Sequence, residues 1–128
     1  MVGIVIVSHS QKLAEGVVEL AQMMAREVNI AAAGGLEDGM LGTSYQRIVE
    51  AIEEVNGAEG AVVLVDMGSA VMTAELAIET LKDDHIRLVD APLAEGAVLA
   101  ALSAAQGADL DTVAAQAVSA RTMEKISS

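Results

Sequence analysis

Cysteine is absent from this 128-residue chain, which excludes disulfides, thiolate metal sites and cysteine nucleophiles and leaves the redox compartment undecided. Aromatic residues are nearly as scarce. Tyr45 is the only one, so the core must be filled by many small aliphatic contacts, a composition that lets helices lie close against a sheet. Proline occurs once, at Pro92. No stretch approaches the roughly 20 consecutive apolar residues of a membrane span. The opening MVGIVIVSHS carries neither a basic leader nor a cleavage site, so a soluble, cytoplasmic protein is expected. Positive charge is also in short supply: seven Lys and Arg stand against nineteen Asp and Glu, a net charge of −12. The basic residues are scattered, which argues against nucleic acid as a partner and reads as a solvated acidic surface.

Hydrophobic residues make up 53% of the chain, enough to bury the core of one compact domain over residues 1–128. Val2 to Val7 is a continuous apolar run rich in β-branched residues, the pattern of a strand covered on both faces. After His9 the period changes. Leu13, Val17, Leu20, Ala21, Met24 and Val28 recur at helical spacing, predicting an amphipathic helix that ends near Asn29. Ile30 to Ala33 reads as a second strand, and Gly34-Gly35 opens a loop that runs through Gly39 to Gly42. Thr43 or Ser44 then caps a helix burying Ile48, Ala51, Ile52 and Val55 and stopping at Asn56-Gly57. Strand Ala61 to Val65, a turn at Asp66 to Ser69, and a helix from about Ala70 to Lys82 with Val71, Ala74, Leu76, Ile78 and Leu81 on its face repeat the unit. A fourth strand spans Ile86 to Val89, an Ala-rich helix ends before Gly107, and Asp109 caps a last helix reaching towards Lys125 with Leu110, Val113, Ala117 and Ala120 inward. Strands alternating with helices imply right-handed crossovers: an α/β protein, three layers α/β/α, with a mainly parallel sheet of about four strands.

In such a sheet, reacting groups gather beyond the carboxyl ends of the strands. Those ends carry Ser8-His9-Ser10, the loop from Gly34 to Ser44, the turn Asp66 to Ser69, and Asp90 to Gly96. His9 stands at a strand end directly before a helix, where free backbone N–H groups can hold the oxygens of an arriving phosphoryl group and the imidazole can act as nucleophile. Asp66 either fixes the tautomer of that ring by accepting from one nitrogen or caps the helix that follows; spacing alone favours neither. Thr43 and Ser44 are hydroxyl donors to a phosphoryl oxygen or plain helix caps. Gly39, Gly42 and Gly68 fall in the same loops but spell no nucleotide-binding fingerprint, and no metal site or resident cofactor is expected. Met40 and Met67 offer an adaptable contact surface for a protein partner. His85 lies at the amino end of its strand and reads as a surface residue.

The segments GIVIVSHS, GGLEDGMLGTS, VDMGSA and APLAEGA, in this order, closely resemble the DhaM family, the phosphotransferase subunits of the dihydroxyacetone kinase driven by phosphoenolpyruvate. They are similar to the mannose-class IIA domains of the bacterial sugar phosphotransferase system. The resemblance runs to about residue 107. It implies a phosphotransferase in which His9 receives phosphate from phospho-HPr and delivers it to ADP held on the DhaL subunit, while DhaK binds dihydroxyacetone. It also implies a homodimer, magnesium that belongs to the partner's nucleotide, Asp66 as orienting acid, and Ser8, Ser10, Gly39, Gly42, Thr43, Ser44, Gly68 and Ser69 as site-lining residues. Some members continue into fused HPr and enzyme I-like domains; this chain stops at Ser128, so a separate donor protein is expected. Mannose-class IIA domains carry a Gly-Gly-Ser-Pro turn where this chain has VDMGSA, and they exchange a terminal strand, whereas residues 109 to 127 here read as helix. Two other readings stand beside the relay: a IIA component of a sugar transporter, and a non-catalytic module of the same fold in which His9 and the glycine loop hold a small anion.

Overall fold

A computed structural model describes residues 1–127. Its elements are β1 (Gly3–Ser8), α1 (Gln11–Met24), β2 (Ile30–Gly34), α2 (Tyr45–Val55), β3 (Ala61–Val65), α3 (Ser69–Leu81), β4 (Ile86–Val89), α4 (Leu93–Ala105) and α5 (Leu110–Ser119), then a 3-10 turn over Ala120–Thr122. The sheet is wholly parallel with strand order β2-β1-β3-β4. From β1 the chain crosses to one side to form β2 and returns to the other side for β3, so the order reverses beside β1. Successive side chains of a strand point to opposite faces. Ile4 and Ile6 accordingly pack with α1, α4 and α5, while Val5 and Val7 pack with α2 and α3. Two covered faces explain the uninterrupted apolar run in β1 and complete the three layers expected from the sequence. Among the described residues no helix is long and apolar enough to cross a membrane.

Several elements follow their sequence pattern closely. β3, β4 and the buried face of α2, namely Ile48, Ala51, Ile52 and Val55, are as expected. Three helices depart from it. α1 ends at Met24 instead of Asn29, and it buries Ala14, Val17 and Ala21 while Leu13, Leu20 and Met24 are 47%, 42% and 48% exposed. α3 likewise buries Ala70, Ala74 and Ala77 and leaves Leu76 in solvent. α5 stops at Ser119, short of Lys125, although Leu110, Val113, Ala117 and Ala120 do face inward. The reason for the first two is close packing: alanine columns let α1 and α3 sit nearer the sheet than Leu or Met would allow, so the larger side chains are turned outward.

Gly34 shows how little room is left. A Cβ there would lie 2.5 Å from the Ser10 carbonyl oxygen and 2.7 Å from Gln11 Cα, backbone atoms that cannot yield. The end of β2 therefore lies against the start of α1, which fixes the segment carrying His9. Gly16 is the opposite case, an exposed mid-helix glycine whose Cβ would meet nothing within 4 Å. We expect Gly34→Ala to destabilise the protein by about 1–3 kcal/mol through overpacking. Gly16→Ala should stabilise it by about 0.5–1 kcal/mol through helix propensity. Urea unfolding of both variants checks the opposite signs.

Candidate active site

β1 and β3 are neighbours, and their carboxyl ends bring the residues after them together. Asp66 extends the ladder by one bond, its N–H donating to the Val7 carbonyl at 3.1 Å. Its carboxylate then faces the end of β1. Oδ2 accepts from the Ser8 hydroxyl and the His9 backbone N–H, each at 2.9 Å. Oδ1 accepts from the Met67 N–H at 2.7 Å and lies 3.1 Å from His9 Nδ1. Ser8 is fully buried, and its oxygen also accepts from the Ser10 N–H at 3.0 Å. Burial acts to raise the Asp66 pKa, but the N–H groups of His9 and Met67 and the Ser8 and His9 side chains outweigh it and hold the carboxyl below its ordinary value of 3.8. An ionised carboxylate only accepts, so the ring nitrogen facing it carries the proton. In the neutral ring, Nε2 then presents its lone pair.

Nε2 faces the amino end of α3. It lies 2.9 Å from the hydroxyl of Ser69, the first residue of that helix. Gly68 precedes it at φ 53° and ψ −121°, a conformation that favours glycine, and α3 has no side-chain cap. Asp66 thus does not cap α3; its carboxylate is occupied by Ser8, His9 and Met67. From the other side, Thr43 Oγ1 approaches Ser69 Oγ at 3.4 Å and Thr73 Oγ1 at 3.3 Å. The Gly42 N–H donates to the His9 carbonyl at 2.9 Å, tying the β2–α2 loop to the histidine. The orientation of the ring differs from the sequence expectation: the Nε2 edge of His9 meets the start of α3, whereas α1, which follows His9 in the chain, has the Ser10 side chain as its cap.

The structure therefore gathers Ser8, His9, Gly42, Thr43, Asp66, Gly68 and Ser69 into one assembly. Ser10 and Ser44 have other duties. Ser10 accepts from the Leu13 N–H at 3.1 Å as the cap of α1. Ser44 accepts from the Arg47 N–H as the cap of α2 and donates to Glu37 at 2.6 Å, which holds that glutamate below its usual pKa. Gly39 shapes the tight turn in which its N–H meets the Leu36 carbonyl. Thr73 was not anticipated; its signal in the sequence is the four-residue spacing from Ser69, which puts both on one side of α3. Around the site Met40, Leu41, Met67 and Met72 are each at least 65% exposed, and the His9 side chain is 33% exposed. His85 is far more open, and its ring lies 3.4 Å from the Asp83 carboxylate.

From residue 3 to residue 114, a span that holds both His9 and Asp66, the chain is matched by the family model described as the PTS system fructose IIA component, EIIA-man. Curated relatives refine this. The chain is 47% identical over 120 residues to the "PEP-dependent dihydroxyacetone kinase, phosphoryl donor subunit DhaM" of Escherichia coli strain K12, covering 88% of this chain and 25% of that one. It is 40% identical over 114 residues to the "PTS-dependent dihydroxyacetone kinase, phosphotransferase subunit DhaM" of Lactococcus lactis strain IL1403, covering 89% of this chain and 91% of that one. The chain belongs to the mannose-class IIA family of the phosphotransferase system, on its DhaM branch. It spans about a quarter of the Escherichia coli relative's length. The crystal structure of a protein of unknown function superposes with a TM-score of 0.85 at 34% identity, covering 99% of this chain and all of the other. A sigma-54 interaction domain protein from Enterococcus faecalis shares the fold with a TM-score of 0.69 at 17% identity, covering 91% of this chain and 87% of that one.

A carboxyl whose folded pKa lies below its unfolded value contributes stability that is complete above the unfolded pKa and disappears as the pH falls through the folded one. Asp66 is such a group. Asp66→Asn should be less stable than the wild type at neutral pH, with the difference shrinking as the pH drops below 3.8. Chemical denaturation of the two proteins over a pH series checks this. A difference that stays constant across the acid range would contradict it.

Proposed function

We propose that this chain is the phosphocarrier of a dihydroxyacetone kinase and that His9 is its phosphoryl acceptor. The carrying observation is the division of the His9 ring: Nδ1 rests on the Asp66 carboxylate while Nε2 meets the Ser69 hydroxyl at a partly exposed edge. The Nε2 lone pair attacks phosphorus in line, the bond to the donor atom breaks, and the donor atom keeps its electron pair. No proton has to leave. The ring keeps its Nδ1 hydrogen and becomes positively charged, and the adjoining carboxylate balances that charge, so the phosphoryl group stays transferable. The donor is phospho-HPr, the acceptor is ADP on a DhaL subunit, and DhaK presents dihydroxyacetone. The names of the Escherichia coli and Lactococcus lactis relatives support a phosphoryl-transfer role in a dihydroxyacetone kinase. The exposed Met40, Leu41, Met67 and Met72 supply an adaptable apolar surface on which both protein partners can exclude water from the reacting atoms. The chain needs no cofactor of its own in this relay, and magnesium accompanies the partner's nucleotide.

The fructose IIA description of the family model favours one alternative acceptor, a IIB domain of a sugar transporter. Incubation with phosphoenolpyruvate, enzyme I and HPr, read by intact-mass spectrometry, tests the common step. We expect an acid-labile gain of one phosphate that is lost in His9→Ala and kept in His85→Ala. No gain with competent donors would refute the relay. Discharge of the phosphoprotein by ADP-loaded DhaL, and not by a IIB domain, identifies the kinase; the reverse identifies the transporter. Asp66→Asn should slow the phosphorylation of His9 by about 10- to 100-fold, the kinetic equivalent of losing a hydrogen bond to a charged group. Unchanged stopped-flow or quench-flow rates would leave Asp66 a purely structural residue.

A further inference from the structure

The hydroxyls beside Nε2 have a forced direction. Nε2 in the tautomer set by Asp66 can only accept, so the single Ser69 hydroxyl hydrogen points at the ring. Thr73 donates its own hydroxyl hydrogen to the Ser69 carbonyl at 2.8 Å. Ser69 and Thr73 have no hydrogen left for Thr43, yet Thr43 Oγ1 contacts both, at 3.4 and 3.3 Å. Thr43 must therefore be the donor in both contacts with one hydrogen between them. The chain contains one rigid member, Thr73, one member aimed at the ring, Ser69, and one held loosely between two acceptors, Thr43.

Resting on the reading of His9 as phosphoryl acceptor, we propose that Thr73 is a positioning residue: its hydroxyl pins the Ser69 carbonyl and accepts from Thr43, keeping the Ser69 hydroxyl at Nε2 and the Thr43 hydroxyl beside Ser69, both ready to turn to a phosphoryl oxygen. When phosphorus bonds to Nε2, that lone pair is gone. The Ser69 hydrogen loses its acceptor, and the new acceptors are the oxygens of the phosphoryl group one bond further out. Ser69 changes acceptor without gaining or losing a proton, and Thr43 can release either of its long contacts to add a second donor. Thr73 makes no such change, because its hydrogen stays on the carbonyl. Threonine back-bonding to the carbonyl four residues earlier is common in helices, and Thr80 does the same to Leu76. Thr73 differs in that its oxygen also receives Thr43, a bridge from the loop before α2 to α3.

The test uses Thr73→Val, which keeps the shape and removes the hydroxyl, and Thr73→Ser, which restores it. Two readouts apply: the rate of phosphoryl transfer from phospho-HPr to His9, and the nitrogen-15 resonance of His9 Nε2 in the unphosphorylated protein. We expect Thr73→Val to slow transfer by about 3- to 10-fold, the kinetic equivalent of a neutral hydrogen bond. It should also move the Nε2 resonance, and Thr73→Ser should return both close to wild type. A purely structural threonine would move the melting temperature and neither readout. An unchanged rate or an unmoved resonance in folded Thr73→Val overturns the proposal. Should wild-type His9 take no phosphate at all, the phosphocarrier reading fails, and the Nε2 resonance alone then decides whether Thr73 governs the ring.

Discussion

The Asp66 carboxylate lies where β1 and β3 end side by side, and the bonds it accepts tie the two strand ends, the turn into α3 and the His9 ring to one point. Every feature of the candidate site follows from that anchoring. The His9 N–H and the Ser8 hydroxyl fix the backbone from which the ring projects. The Met67 N–H fixes the start of the turn through Gly68 that delivers Ser69 to the opposite nitrogen. Burial would favour the neutral acid, but the converging donors favour the anion more strongly, so the carboxyl is kept charged and able only to accept. The tautomer of His9 is a consequence of that charge.

The fold supplies the geometry through close approach. A core of Ala, Val, Ile and Leu with one aromatic residue in the chain permits α1 and α3 to lie on the sheet along alanine columns. The absence of a Cβ at Gly34 lets the end of β2 touch the start of α1. Since His9 sits between β1 and α1, the depth of α1 on the sheet decides where the ring emerges, and packing at Gly34 reaches the site with no contact to the imidazole. The large apolar residues displaced from the core, Leu13, Leu20 and Met24 on α1 and Leu76 on α3, lie on the surface for the same reason.

Much of this was legible in the chain. The apolar runs of β3 and β4 and the wide apolar stripe of α2 signal their elements strongly, and the convergence of strand ends in a parallel sheet singles out His9 and Asp66 as candidates, whose side chains lie 3.1 Å apart. On α1 and α3 the pattern marks Val17, Ala21 and Ala74 as inward but puts Leu13, Leu20, Met24 and Leu76 there too, because Leu and Met carry more hydrophobic weight than Ala whereas the sheet accepts whichever side chain fits. Asp66 as cap or orienting acid could not be decided from spacing, since the choice depends on the register between β1 and β3. The same holds for the hydroxyls: Ser10 and Ser44 cap helices while Ser69 reaches the ring, a distinction set by the backbone at Gly68. Thr73 is silent in the sequence, because a threonine inside a helix carries no signal until Ser69, four residues earlier, is placed beside the ring.

We propose that Asp66, by holding Nδ1, leaves Nε2 of His9 as the nitrogen that bonds to phosphorus. Nitrogen-15 and phosphorus-31 NMR of the freshly phosphorylated, isotope-labelled protein measures this directly. One phosphohistidine is expected, at His9, with phosphorus coupled to Nε2 and a hydrogen retained on Nδ1. Phosphorus coupled to Nδ1, or a phosphohistidine at His85, would contradict it.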